Sequence, residues 1–138
     1  MKRYIILTAL LVLAANVLTA QTRPYNVVFD LAGKDTAEHR ALVRWINEIS
    51  NANAAAKMEV VLYAKGLDLV IKDKTMFGDA VEKMLLNKNL SIKVCAVAMK
   101  NQNIDKSQLL PGVEIVPDGI YEIISKQGEG WGYIKVAL

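Results

Sequence analysis

Hydrophobic positions along this sequence fall into short continuous runs, separated by stretches of helical period. Residues 25–29 (YNVVF) form a β-rich run, and a polar turn containing Gly33 follows. Asp35 and Glu38 have capping-box spacing, with Asp in place of the usual Ser or Thr. His39, Leu42, Trp45, Ile46 and Ile49 then share one helical face, and Asn51-Ala52-Asn53 ends the helix. Residues 58–63 (MEVVLY) make a second apolar strand, followed by Gly66. Thr75 can cap a second helix with Phe77, Val81, Met84 and Leu85 on its inner face. Residues 91–99 (SIKVCAVAM) read as a third strand, apolar on both faces after Lys93. Residues 102–110 can hold a short helix, and residues 113–116 a fourth strand after the turn at Pro111-Gly112. Asp118 opens a further helix with Ile120, Ile123 and Ile124 inward and Gly128 at its C-terminal end. Residues 131–136 (WGYIKV) are the last strand.

Strand and helix alternate throughout. Continuous apolar strands are expected when both faces of a sheet are covered, and crossovers of this length suit right-handed βαβ units. The pattern predicts one α/β domain: a small, mostly parallel five-stranded sheet with helices on both faces, in flavodoxin-like layering. Trp45, Tyr121 and Trp131 fall at positions expected to pack. Lys72-Asp73-Lys74 reads as a solvated loop.

The first 20 residues break this pattern. Lys2 and Arg3 precede a nearly unbroken apolar run from Tyr4 to Ala15, and Ala20-Gln21 is a cleavage point. This is the layout of a secretory signal peptide. The run is short of the roughly 20 apolar residues a membrane span needs, and no cysteine stands at the cut to be acylated. The reading is residues 1–20 as signal peptide and 21–138 as one domain, periplasmic or secreted, with no membrane attachment after cleavage. Removing Lys2 and Arg3 from the 17 basic residues leaves 15 against 14 acidic ones. The lysines are scattered, so no basic footprint for nucleic acid remains.

Composition limits the chemistry further. One histidine and one cysteine exclude multi-histidine metal sites and a CxxC pair. No GxGxxG, Walker A or GxSxG pattern is present, and residues 30–34 lack the Ser/Thr-rich cradle of a flavodoxin loop. No cofactor is expected. In open α/β sheets, ligands bind beyond the carboxyl ends of the strands. That rule selects the segments after Asp30, after Tyr63, around Cys95 and after Pro117. Cys95 has two readings here. It is a small buried hydrophobe, as free cysteine often is. Or it is a partly exposed nucleophile whose thiolate is favoured by helix N-termini or by Lys65 or Lys100, suited to persulfide or mixed-disulfide chemistry. His39 lies at the first turn of its helix, where a bond to backbone or water competes with a His–Cys pair.

From Cys95 onward the punctuation is distinctive: Met99, Asn103-Ile104, Leu109, Pro111-Gly112-Val113, Val116-Pro117-Asp118-Gly119, Gln127, Gly130-Trp131 and Tyr133-Ile134-Lys135. This order resembles the DsrE/DsrF-like, sulfur-relay family, and YNVVFD and VVLYAKGLDL fit it more loosely. The resemblance implies a small parallel α/β sheet that assembles as homotrimers or hexamers. It implies that Cys95 carries sulfur as a persulfide, with Met99, Lys100, Asn101, Asp118 and Gly119 near a subunit-lined pocket. Tyr63, Gly66 and His39 are further pocket candidates. Where many relatives have His-Gly after the second strand, this sequence has Tyr63-Ala64, with Gly66 kept. The expected role is a carrier or binding protein rather than a turnover enzyme, working with a sulfur donor or acceptor protein. A non-catalytic oligomeric module with an inert cysteine and a redox-sensing thiol are the alternatives.

Overall fold

The computed structural model describes residues 24–138; the leader assigned to residues 1–20 lies outside them. Five strands form one sheet in the order β4-β3-β2-β1-β5, and every neighbouring pair is parallel. The strands are β1 (Asn26–Leu31), β2 (Lys57–Leu62), β3 (Leu90–Cys95), β4 (Glu114–Val116) and β5 (Gly132–Lys135). The α-helices are α1 (Thr36–Ala52), α2 (Gly78–Met84), α3 (Ala96–Asn101) and α4 (Gly119–Gly128). Single 3-10 segments cover Ala64–Val70 and Lys106–Gln108.

Alternation along the strands assigns each side chain to a face. Val27, Phe29 and Leu31 of β1, Met58, Val60 and Leu62 of β2, and Leu90, Ile92 and Val94 of β3 join Leu42 and Ile46 of α1 and Val81 and Met84 of α2 in the main core. The opposite face carries a much smaller cluster, Val28, Val61 and Ile123 of α4. α1 starts where the sequence marks it: Asp35 Oδ1 accepts from the Ala37 amide at 2.8 Å.

β1 to β4 step in one direction across the sheet, and the chain then crosses to the far edge through α4 to form β5. Right-handed crossovers place helices on opposite faces when the direction reverses, which is why α4 packs opposite α1 and α2.

Four details depart from the sequence pattern. The third strand stops at Cys95, and Ala96–Asn101 turns into helix. An apolar run cannot by itself separate strand from helix, and AVAM is rich in the best helix former. The second helix begins at Gly78; Thr75 Oγ1 instead accepts from the Phe77 amide at 3.1 Å. Residues 102–110 form only one 3-10 turn. In α4, Ile123 is buried but Ile120, Ile124 and Tyr121 stand exposed, Tyr121 at 67%. Only Gly119 and Ile123 of this helix are buried against the sheet.

Candidate functional site: a cysteine pocket where β3 and β4 diverge

The chain leaving β3 packs Ala98 and Met99 into the main core, while the chain leaving β4 enters α4 on the other face. A crevice opens between two neighbouring strands whose connections part in this way. Cys95 is the last residue of β3 and sits beside Val116, the last residue of β4. The free thiol therefore stands at the divergence, 6% exposed.

An open pocket of about 450 Å³ lies there. Cys95 shares its lining with Tyr63, Ala64 and Lys65 beyond β2, Val97, Ala98, Asn101 and Gln102 of the α3 segment, and Asp118 and Ile120 at the start of α4. Its polar groups are largely engaged with one another. Lys65 Nζ donates to Gln102 Oε1 at 3.1 Å, and the Gln102 amide donates to the carbonyls of Ala64 and Ala98. Asp118 Oδ1 accepts from the amides of Ile120 at 2.9 Å and Tyr121 at 3.3 Å, capping α4. What remains free toward the thiol is mostly hydrocarbon.

Gly119, between the lining residues Asp118 and Ile120, packs directly against Cys95. A Cβ there would lie 3.0 Å from Cys95 Cβ and 3.2 Å from Val61 Cγ1, so a side chain would push α4 off the strand. Of the other residues singled out in the sequence, Tyr63, Asn101 and Asp118 converge on the pocket. Met99 is buried in the main core, and Lys100 is exposed outside the lining. Gly66 is buried against the Leu31 carbonyl, where a Cβ would collide. His39 Nε2 pairs with the Gly33 carbonyl at 3.0 Å, and its ring meets Phe77 edge-on; it makes no pair with Cys95. Ala64, Val97, Ala98, Gln102 and Ile120 were missed. Val97, Ala98, Asn101 and Gln102 stand one turn apart once the segment after Cys95 is recognised as helical.

Two carboxylates lie buried on the α4 face of the sheet. Asp30, 4% exposed, accepts at Oδ2 from the Tyr133 hydroxyl at 2.6 Å, while its Oδ1 has no partner. Burial, together with the nearby Asp30 carboxylate, pushes the Tyr63 phenol up to about 12. The bond to Asp30, with burial adding, pushes Tyr133 to about 12 as well. Both phenols stay protonated near neutrality.

The second carboxylate, Glu59, is bridged. Lys93 Nζ sits 2.9 Å from Glu59 Oε2 and 2.7 Å from Glu122 Oε1, tying β2 and β3 to α4. Ser91 Oγ donates to Glu59 at 3.2 Å. Burial outweighs the Lys93 hydrogen bond at Glu59 and raises its pKa. At Glu122 burial is again the largest single influence and works the same way, but the bonds from Lys93 and Glu59 and the charges of Lys93 and Lys126 together outweigh it and the pKa is lowered. Burial alone would lower Lys93; its bonds to Glu122 and Glu59 raise it instead.

A five-stranded parallel sheet in this order, covered by helices, places the chain in the class of small α/β domains. The chain belongs to the DsrE/DsrF-like family, whose model matches residues 26–136, and that membership connects it with a sulfur-relay-related role. No curated protein matches it. Among solved structures it is similar to a protein of unknown function from Methanobacterium thermoautotrophicum, at 25% identity and TM-score 0.76, covering 80% of this chain and 98% of that one. A conserved protein of unknown function from Bacteroides thetaiotaomicron shares the fold at 14% identity and TM-score 0.68, over 81% of this chain and 95% of that one. So does the ychN protein of E. coli, at 13% identity and TM-score 0.67, over 82% and 99%.

Proposed function

We propose that this is an exported sulfur-handling protein that holds one sulfur as a persulfide on Cys95. The observation that carries the reading is the placement of the chain's only cysteine at the divergent crevice, inside a pocket whose free surface is mostly apolar. The Cys95 thiolate attacks the outer sulfur of a donor persulfide, R–S–SH. The donor S–S bond breaks, a new S–S bond forms at Cys95, and the departing thiolate takes the proton that Cys95 gave up. Nothing is oxidised or reduced overall. The mostly hydrocarbon walls offer water few hydrogen-bond partners beside the product. Tyr63 supplies a protonated phenol in the lining.

The leader pattern of residues 1–20 supports export. The exposed Ile120, Tyr121 and Ile124 beside the pocket mouth support self-association into trimers or hexamers, since apolar side chains grouped in this way mark contact surfaces. The protein then acts as a carrier between donor and acceptor partners and needs no cofactor.

Intact-mass analysis after exposure to inorganic polysulfide provides the test. The protein should gain the mass of one sulfur atom, reversibly on adding reductant, and Cys95→Ser should gain none. If the native protein gains no sulfur at neutral pH, Cys95 is packing and the reading fails. N-terminal sequencing of protein recovered outside the cytoplasm should begin near Gln21.

A further inference from the structure

The first turn of α4, which brings Asp118 and Ile120 to the pocket and Gly119 against Cys95, is held by little apolar contact. Within α4 only Gly119 and Ile123 are buried, whereas α1 buries His39, Ala41, Leu42 and Ile46 on the other face. The ionic bridge lies one step from the cysteine contact along both elements it joins. Lys93 precedes Cys95 by two residues on the same face of β3. Glu122 follows Gly119 by three, one turn on in α4. The Lys93–Glu122 pair and the Cys95–Gly119 contact are thus adjacent rungs between the same strand and the same helix.

We propose that Lys93 is the positioning residue of the Cys95 pocket: by bridging Glu59 of β2 and Glu122 of α4, it seats the first turn of α4 against the thiol. For sulfur handling the proposal rests on the function assigned to Cys95; the seating itself does not. The other charged groups near the bridge are placed differently. Glu114 is the exposed neighbour of Lys93 on β4. Lys126 is paired with Glu129 at 3.1 Å and lies over the Trp131 ring at 4.9 Å. Lys93 is the cation that reaches both Glu59 and Glu122. Removing it leaves the buried Glu59 and the partly exposed Glu122 with no cation between them, and their mutual repulsion loosens the helix. Replacing all three charges by hydrocarbon leaves no such repulsion.

The test compares Lys93→Met with the triple variant Lys93→Met, Glu59→Leu, Glu122→Leu, using hydrogen exchange of α4 amides and the rate of Cys95 modification by 4,4′-dithiodipyridine. In Lys93→Met, both should rise at least about ten-fold, while amides of β1 and β2 keep their protection. The triple variant should return both to within about three-fold of the native protein. Uniform loss of protection across β1, β2 and α4 would reduce Lys93 to general stability and overturn the proposal. So would an unchanged Cys95 rate in Lys93→Met, or a triple variant that stays open. Should Lys93→Met fail to fold, Glu122→Ala, at the more exposed end of the bridge, reads the same two quantities; because the Lys93–Glu59 pair survives in it, both should rise only about three-fold, and no rise in either would overturn the proposal. If α4 loosens as expected but no variant, nor the native protein, takes up sulfur from polysulfide, the seating stands and the sulfur function falls.

Discussion

The two faces of this sheet are built on different principles. Beneath α1 and α2 the contact is hydrocarbon on hydrocarbon, with Phe29, Leu31, Leu42, Ile46, Leu62 and Ile92 almost wholly out of water. Beneath α4 the apolar cluster has three buried members, and Asp30, Glu59, Ser91 and Lys93 share the same surface. The first face supplies most of the folding free energy, since apolar burial contributes roughly 25 cal/mol per Å². The second contributes little by burial and uses directional bonds. Hydrocarbon contact holds two layers together without specifying one offset between them. A bridge of 2.7 and 2.9 Å from Lys93 does specify one, and the pocket lies on that side.

The contrast is sharpest in stability. Leu42→Ala should cost about 4 kcal/mol, because it removes a fully buried side chain and leaves a void. Ile123→Ala, its counterpart beneath α4, should cost about half as much. Urea titration of the two variants checks this, and equal losses would erase the distinction between the faces. Tyr133→Phe should cost about 2 kcal/mol, since it leaves the buried Asp30 carboxylate with neither oxygen bonded within the protein. Thermal melts should show that loss, and an unchanged melting temperature would mean that water enters and satisfies Asp30.

Glu122→Gln should show the smallest effect, below about 1 kcal/mol because the group is partly solvated, and the effect should depend on pH. A carboxyl whose folded pKa is lowered stabilises the fold above its ordinary pKa of 4.5 and stops doing so as pH falls through the lowered value. The gap in melting temperature between native protein and Glu122→Gln should therefore be full at pH 7 and close below 4.5. A gap that persists in stronger acid would mean that the charge of Glu122 is not what matters. Glu59 behaves oppositely. Its raised pKa means that ionisation is a cost to the fold, relieved as pH falls.

Much of the first face was legible in the sequence. The strands YNVVF and MEVVLY and the helix through Leu42 and Ile46 follow from local hydrophobic spacing, because local spacing is what burial against a sheet selects. The α4 face was not, for two reasons. Its partners are remote: Lys93 and Glu122 are 29 residues apart, and no periodicity links them. Its helix also breaks the rule that apolar means inward, since Ile120 and Ile124 point away from the sheet. The candidate site was legible in part. Cys95, Asp118 and Gly119 came from the strand-end rule and the ordered C-terminal residues, and they do meet in space. Met99 and Lys100 lie elsewhere because the strand gives way to helix one residue after Cys95, which rotates every later side chain out of the strand pattern.

β1 also sets the order in which the chain can complete itself. It is the earliest strand, yet one of its edges waits for β5, and the Tyr133 hydroxyl reaches Asp30 across 103 residues of sequence. While the polypeptide is being synthesised, β1 can pair with β2 and β2 with β3, but the other flank of β1 stays open until the closing strand has emerged. Such long-range pairing slows folding, and an open strand flank can recruit a neighbouring chain. Truncation before Gly132 would leave that flank permanently uncovered, so such a product should aggregate rather than persist as a smaller soluble domain.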